Sequence, residues 1–165
     1  RCLVGSEMCI RDRQGATPDI PRPGYAYYEQ DLESRTFGVV VDTSGSMSAK
    51  QIGMALGSIA SYAAAKDVPF VRIIFCDAKA TDAGYLAPED IAGRVKVMGR
   101  GGTILQPGVD CLEQANDFPK DGPILIITDG EIENDLKIRR EHAFLLPRGN
   151  RLPFRARGEV FYFRE

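Results

Sequence analysis

Apolar residues along this chain fall into two rhythms. Residues 37–41, 70–76 and 124–127 form short, nearly unbroken apolar runs, rich in valine and isoleucine and bounded by turn residues. Runs of this kind predict strands covered on both faces, as in a parallel sheet. Between the first two, Ile52, Ala55, Leu56, Ile59, Ala60 and Ala63 recur at helical spacing and predict a helix over 49–66. Ser48 and Gln51 stand three apart ahead of that stripe, the signature of a capping box. Leu105, Val109 and Leu112 stripe a second helix, opened by Gly101-Gly102-Thr103, with Pro107 tolerated in the first turn.

The remaining segments complete an alternating order. Residues 77–80 read as a turn, after which 81–86 return as an antiparallel edge strand. Pro88, Glu89 and Asp90 start a short helical piece, and 95–98 form a short segment before the glycine-rich loop. Residues 142–146 and 160–163 predict two further short strands. The β-helix-β alternation implies an α/β fold: a doubly wound, mostly parallel sheet with helices on both faces and one antiparallel edge strand.

A length of 165 residues fits one domain with a real core. The stretch from Cys2 to Asp12 resembles a translated transposon adapter of a sequencing library, so residues 1–13 are set aside as not native. The native protein is then expected to start further upstream. Residues 14–35, rich in proline, glycine and charge, read as a linker from that upstream region, with Tyr25, Tyr27 and Tyr28 available to pack on the domain edge. Residues 36–165 are the folded domain.

A hydrophobic content of 44% and a charged content of 27% are those of a soluble globular protein. The net charge of -2 predicts no general attraction to nucleic acid or to anionic lipid. No apolar run approaches the roughly 20 residues of a membrane span, and a cytoplasmic location is expected. Cys2 and Cys9 belong to the adapter-like stretch. Cys76 and Cys111 are expected to be reduced, buried thiols, and without a Cys-x-x-Cys pair zinc binding is not expected.

The chemistry sits where apolar runs end. Asp42-Thr43-Ser44-Gly45-Ser46 follows the first run and Thr128-Asp129-Gly130 follows the third. In an open α/β sheet, ligands bind beyond the carboxyl ends of the strands. Asp42, Ser44, Ser46, Thr103 and Asp129 would meet there. Two acids and three hydroxyls are hard oxygen donors that suit one Mg²⁺ or Mn²⁺. If the neutral hydroxyls bind the ion directly, its charge stays largely uncompensated. Asp42 and Asp129 would then act through water or as acceptors that orient the hydroxyls. Such an ion calls for an outside anion, most simply a partner's carboxylate, which favours metal-mediated recognition over hydrolysis.

These residues resemble the von Willebrand factor type A (VWA) domain with its metal-ion-dependent adhesion site. Asp42, Ser44 and Ser46 match the family's Asp-x-Ser-x-Ser pattern, Thr103 its separate threonine and Asp129 its later aspartate, in the family's order. The resemblance implies hydroxyl ligands bound directly to the ion, acids acting through water, and a sixth position filled by an Asp or Glu of a protein partner. Residues 35–47 and the tail Leu146-Pro147-Arg148-Gly149 further resemble the bacterial VWA-like proteins of the metallopeptidase type. Those carry a zinc-peptidase-like region ahead of the VWA-like domain and accompany MoxR-type AAA+ ATPases. The implied function is a non-enzymatic, metal-dependent interaction domain with an ATPase as partner. The chain has no His-Glu-x-x-His, so the peptidase activity is not assigned to it. Its tail departs from the adhesion domains by ending in strands instead of a long helix.

An enzyme is the alternative. A strand ending in Asp42 also resembles the haloacid dehalogenase phosphatases, with Asp42 as nucleophile on a phosphate ester. Those require a second acid where this chain has Ser44, and a lysine motif that is not evident. Asp42-Thr43-Ser44 also interrupts the Asp-Thr-Gly of aspartic proteases. Ser44 and Ser46 as mere helix caps would leave Thr103 and Asp129 unexplained. His142, the only histidine, is expected as a satisfied strand-end residue. Glu131 and Glu133 read as solvated loop acids, and the basic tail from Lys137 onward as a solvated face.

Overall fold

Successive side chains of the first strand, β1 (Gly38–Asp42), serve opposite layers. Val39 and Val41 join one buried cluster and Val40 the other. That is the period-two geometry of a strand covered on both sides. The computed structural model describes residues 36–91 and 104–164, all within one compact unit, Ser34–Glu165.

The other strands are β2 (Val71–Cys76), β3 (Ala80–Leu86), β4 (Ile124–Ile127), β5 (His142–Pro147) and β6 (Glu159–Phe163). The helices are α1 (Ala49–Ala65), α2 (Pro88–Ile91) and α3 (Gln106–Gln114). The sheet runs in the order β3-β2-β1-β4-β5-β6. Only β2 and β3 pair antiparallel, so the expected edge strand is present on an otherwise parallel sheet. From β1 the chain winds out to β2 and β3, then crosses to β4 on the other flank. The strand order therefore reverses between β1 and β4.

One layer is built by α1. Ser48 caps it as anticipated: its hydroxyl accepts from Gln51 N–H at 3.2 Å while Gln51 Oε1 accepts from Ser48 N–H at 2.9 Å. Ile52, Ala55, Leu56, Ile59 and Ala63 are buried, with Ala60 partly so. Each fully buried Ile or Leu contributes about 1.5–3 kcal/mol. The other layer is α3, whose Leu105, Val109 and Leu112 side of contact is entirely buried. Beyond α3 the same layer is completed by loop residues instead of a helix: Ile132, Leu136, Leu152 and Phe154 pack on the cluster that includes Phe144 and Leu146 of β5, with Phe154 edge-on to Phe144. On the α1 side, among the described residues, no helix covers the outer strands. A groove of about 790 Å³ there is lined by Ile59, Tyr62, Leu125, Leu145 and Phe161.

The anticipated boundaries shift slightly. The first run begins its ladder at Gly38 and carries through Asp42. The second begins at Val71, where pairing with Leu86 starts, and Phe70 before it is 50% exposed. The helix expected to open at the glycine-rich loop starts at Gln106. The segment 95–98 lies outside the described residues. Arg72, the polar exception in the second run, faces the α3 layer and pairs with Asp82 at 2.6 Å and Asp117 at 2.5 Å. Its guanidinium also lies over the Tyr85 ring at 5.4 Å. It thereby ties the edge strand to the loop after α3.

Candidate metal centre

Asp42 ends β1 at the point where the strand order reverses, and its side chain is fully buried. Crevices at such reversals are the natural ligand sites of open α/β sheets. Thr43 turns away from the crevice: its N–H and hydroxyl both donate to Cys76 O, at 2.8 and 3.1 Å, and seal the loop onto β2. With Thr43 committed to the sheet, Ser44 and Ser46 come round to one side, their hydroxyl oxygens 2.9 Å apart. Ser44 is buried and Ser46 exposed, so the group opens to solvent at Ser46.

The second contributor arrives from β4. The Thr128 hydroxyl donates to Asp42 Oδ2 at 2.9 Å, and Ser44 N–H donates to Asp42 Oδ1 at 2.9 Å. Thr128 Oγ1 also accepts from Gly130 N–H at 3.0 Å, which turns the chain sharply after the strand. Asp129 sits between them, 6% exposed, with its Oδ1 accepting from Glu131 N–H at 2.9 Å. Gly130 has φ of 91°, and a Cβ there would run into the backbone carbonyl of Arg151. Glycine is required on both counts.

Residues 37–140 match the family described as VWA-like domain (DUF2201). The chain belongs to that family. No curated protein matches it. The matched span of this VWA-like domain includes β1, both main helices, β4 and the loop that follows.

Four of the five anticipated residues of the VWA-like domain are thus brought to one place: Asp42, Ser44 and Ser46 directly, and Asp129 through Thr128. Thr103 lies outside the described residues. Its neighbour Ile104 donates its N–H to Asp77 O at 3.2 Å, tying the approach to α3 onto the turn after β2. Burial pushes the Asp42 carboxyl above the ordinary carboxylate range, against the hydrogen bonds from Ser44 and Thr128, and the nearby Asp129 charge pushes it further. Among the described residues every ion pair is made by Arg72, and neither acid has a cationic partner there. Two neighbouring carboxylates with hydroxyls beside them, and no countercharge among the described residues, are a donor set that fits a hard divalent cation. Among the described residues no group of three His, Cys, Asp or Glu is placed to hold an ion. The oxygens here are two carboxylates plus hydroxyls, a different donor set.

Three residues carry roles that the bare sequence did not disclose. Thr128 was visible as part of Thr-Asp-Gly, but nothing signalled that its hydroxyl reaches Asp42. Asn150 Nδ2 donates to Asp129 O at 2.7 Å from a loop 21 residues away, and no spacing rule points to it. Glu133 corrects an expectation: it is no free loop acid. Its Oε1 accepts from Leu105 N–H at 2.9 Å and Gln106 N–H at 2.8 Å, capping α3 from outside the helix. Arg140 of the basic tail is likewise committed, donating to Glu113 O at 3.4 Å and to Pro119 O while lying over the Phe118 ring. His142 Nδ1 stands 2.9 Å from Arg140 O at the start of β5, at the far end of the strands from Asp42.

Among the described residues, no helix is long and apolar enough to cross a membrane.

Proposed function

We propose that this VWA-like domain is a metal-dependent protein-interaction module. Ser44, Ser46 and Thr103 ligate one Mg²⁺ or Mn²⁺ directly, and Asp42 and Asp129 hold the surrounding shell. An Asp or Glu of a protein partner completes the coordination. The observation that carries this reading is the buried meeting of Asp42 with Thr128 and Asp129 at the sheet's reversal point, with no cationic side chain paired to either acid among the described residues. The ion would supply a positive charge able to attract an external carboxylate. The amides that open α3 are already taken by Glu133, so an incoming acidic side chain has no helix N-terminus to use instead.

Binding is favoured over turnover. Both Asp42 oxygens accept hydrogen bonds, from Ser44 N–H and the Thr128 hydroxyl, which leaves the carboxylate oriented as an acceptor and not as a free nucleophile. His142, the chain's single histidine, is at the opposite strand ends and offers no general base to the crevice. In this reading the domain works in the cytoplasm within a larger bacterial protein, beside a metallopeptidase-like region, with a MoxR-type AAA+ ATPase as the candidate partner.

Calorimetric titration of Mg²⁺ and Mn²⁺ into the protein, alone and with an acidic peptide present, tests the proposal against Asp42→Ala and Thr103→Ala. Saturable binding lost in both variants is expected. The reading is overturned if no ion binds with or without the peptide. Phosphatase turnover abolished by Asp42→Asn would overturn it in favour of the haloacid-dehalogenase-like alternative.

A further inference from the structure

The loop that carries Asp129 has no ladder of its own from residue 128 to 141, yet it is anchored at identifiable points. Near Asp129 the anchors are Asn150, bonded to the Asp129 carbonyl, and the close passage of Gly130 against Arg151. Four residues beyond Asp129, Glu133 reaches across to α3. The helix needs it: N-cap Leu105 makes no side-chain cap hydrogen bond, so the first amides of α3 are served by the Glu133 carboxylate. An acid there is doubly favoured, since it satisfies orphan N–H groups and opposes the positive end of the helix dipole. Four residues further, Gln106 closes the same seam. Its Oε1 accepts from Lys137 N–H at 2.8 Å and its Nε2 donates to Lys137 O at 3.0 Å. Ile132 and Leu136, flanking Glu133, pack into the α3 layer below.

Resting on the metal reading above, we propose that Glu133 is a positioning residue for Asp129. By stapling the loop to the start of α3, it holds Asp129 beside Asp42. Removing the staple leaves the strands in place, frays the start of α3 and lets the loop, and Asp129 with it, swing. The Asn150 bond and the passage of Gly130 against Arg151 fix the backbone at residues 129 and 130, while Glu133 fixes where the loop goes next. Glu133 therefore tunes the affinity of the centre without touching the ion.

The test compares the parent with Glu133→Ala, Glu133→Gln and Ile59→Val, the last being a core variant in the other layer that lowers general stability. Two quantities are read: amide hydrogen exchange in metal-free protein, and Mn²⁺ affinity by calorimetry. Glu133→Ala is expected to speed exchange at Leu105, Gln106 and Glu131, the last being the amide bonded to Asp129. It is expected to weaken Mn²⁺ binding by about tenfold, in the range found when groups supporting metal ligands are removed. Glu133→Gln, which keeps an acceptor oxygen, should recover part of both effects. Ile59→Val should leave affinity and Glu131 exchange unchanged. Unaltered Glu131 exchange in Glu133→Ala overturns the proposal, as does a Mn²⁺ affinity that tracks general stability in Ile59→Val as well. If the parent binds no Mn²⁺, the metal reading fails on its own, and Glu131 exchange still decides whether Glu133 holds the Asp129 loop.

Discussion

The Thr128 hydroxyl bonds Asp42 Oδ2 across 86 residues of sequence, joining the ends of β1 and β4 inside the crevice. The same oxygen accepts from Gly130 N–H, so one side chain both orients the buried acid and shapes the turn that presents Asp129. Thr128→Val keeps the shape and removes both bonds. The buried Asp42 oxygen would then lack a partner, at a cost of about 1–3 kcal/mol, and the part-buried Gly130 amide would lose its bond as well. Denaturant unfolding of the metal-free protein should show that loss, and Mn²⁺ titration should show weakened binding.

Asp42 itself is predicted to oppose stability while serving the site. Its carboxylate is fully buried, its hydrogen-bond donors among the described residues are neutral, and burial disfavours its charged form. Asp42→Asn removes that charge and retains an acceptor for Ser44 N–H. In chelator-treated protein the variant is expected to melt at a higher temperature than the parent. With Mg²⁺ or Mn²⁺ added the order should reverse, because only the parent gains from ligand binding. Thermal scans with and without metal distinguish this from an ordinary core change, in which the order would not depend on metal.

The link between Arg72 and Asp117 gives a pH signature. The guanidinium holds the Asp117 carboxyl below its usual range through a direct hydrogen bond. A depressed folded-state value means that the pair's contribution is fully present above the unfolded carboxylate value of 3.8. It is lost as pH falls through the depressed one. Stability curves for the parent and Asp117→Asn should therefore be separated at neutral pH and converge on acidification. A gap that persisted at low pH would show that the contribution is not ionic.

How far the chain disclosed its own structure depended on the range of the forces involved. The β-branched runs and the 3.6-residue stripe of α1 are local patterns, and the capping box of Ser48 and Gln51 needs four residues only. The sheet and its antiparallel edge followed from these. Asp42 and Asp129 were legible as acids at strand ends because the position alone implies a crevice. Glu133 and Asn150 were not, since each acts on a backbone group 27 and 21 residues away, in a loop whose path no periodicity describes. Arg140 read as a surface charge for the same reason: its partners Glu113 and Pro119 are backbone carbonyls, invisible to a charge count.

Two helical glycines should respond to alanine with opposite signs. At Gly108 a Cβ would lie 2.8 Å from Cys76 Sγ and 2.9 Å from Val40 Cγ1, so α3 touches the sheet there through bare backbone. Gly108→Ala must push the start of α3 away from the ends of β1 and β2. Overpacking of this kind costs about 1–3 kcal/mol. It should also disturb the Glu133 cap one turn earlier, so Mn²⁺ affinity is expected to fall together with stability. At Gly57, within α1, a Cβ would meet nothing within 4 Å. Gly57→Ala relieves the backbone entropy of a helical glycine and is expected to stabilise by about 0.5–1 kcal/mol. Its metal affinity should be that of the parent, because Gly57 lies in the middle of α1, nine residues beyond the Ser48 cap that joins the helix to the crevice loop. Denaturant curves and Mn²⁺ titrations on the pair would check both signs. A neutral Gly108→Ala would mean that α3 does not sit on Cys76 and Val40 as closely as described.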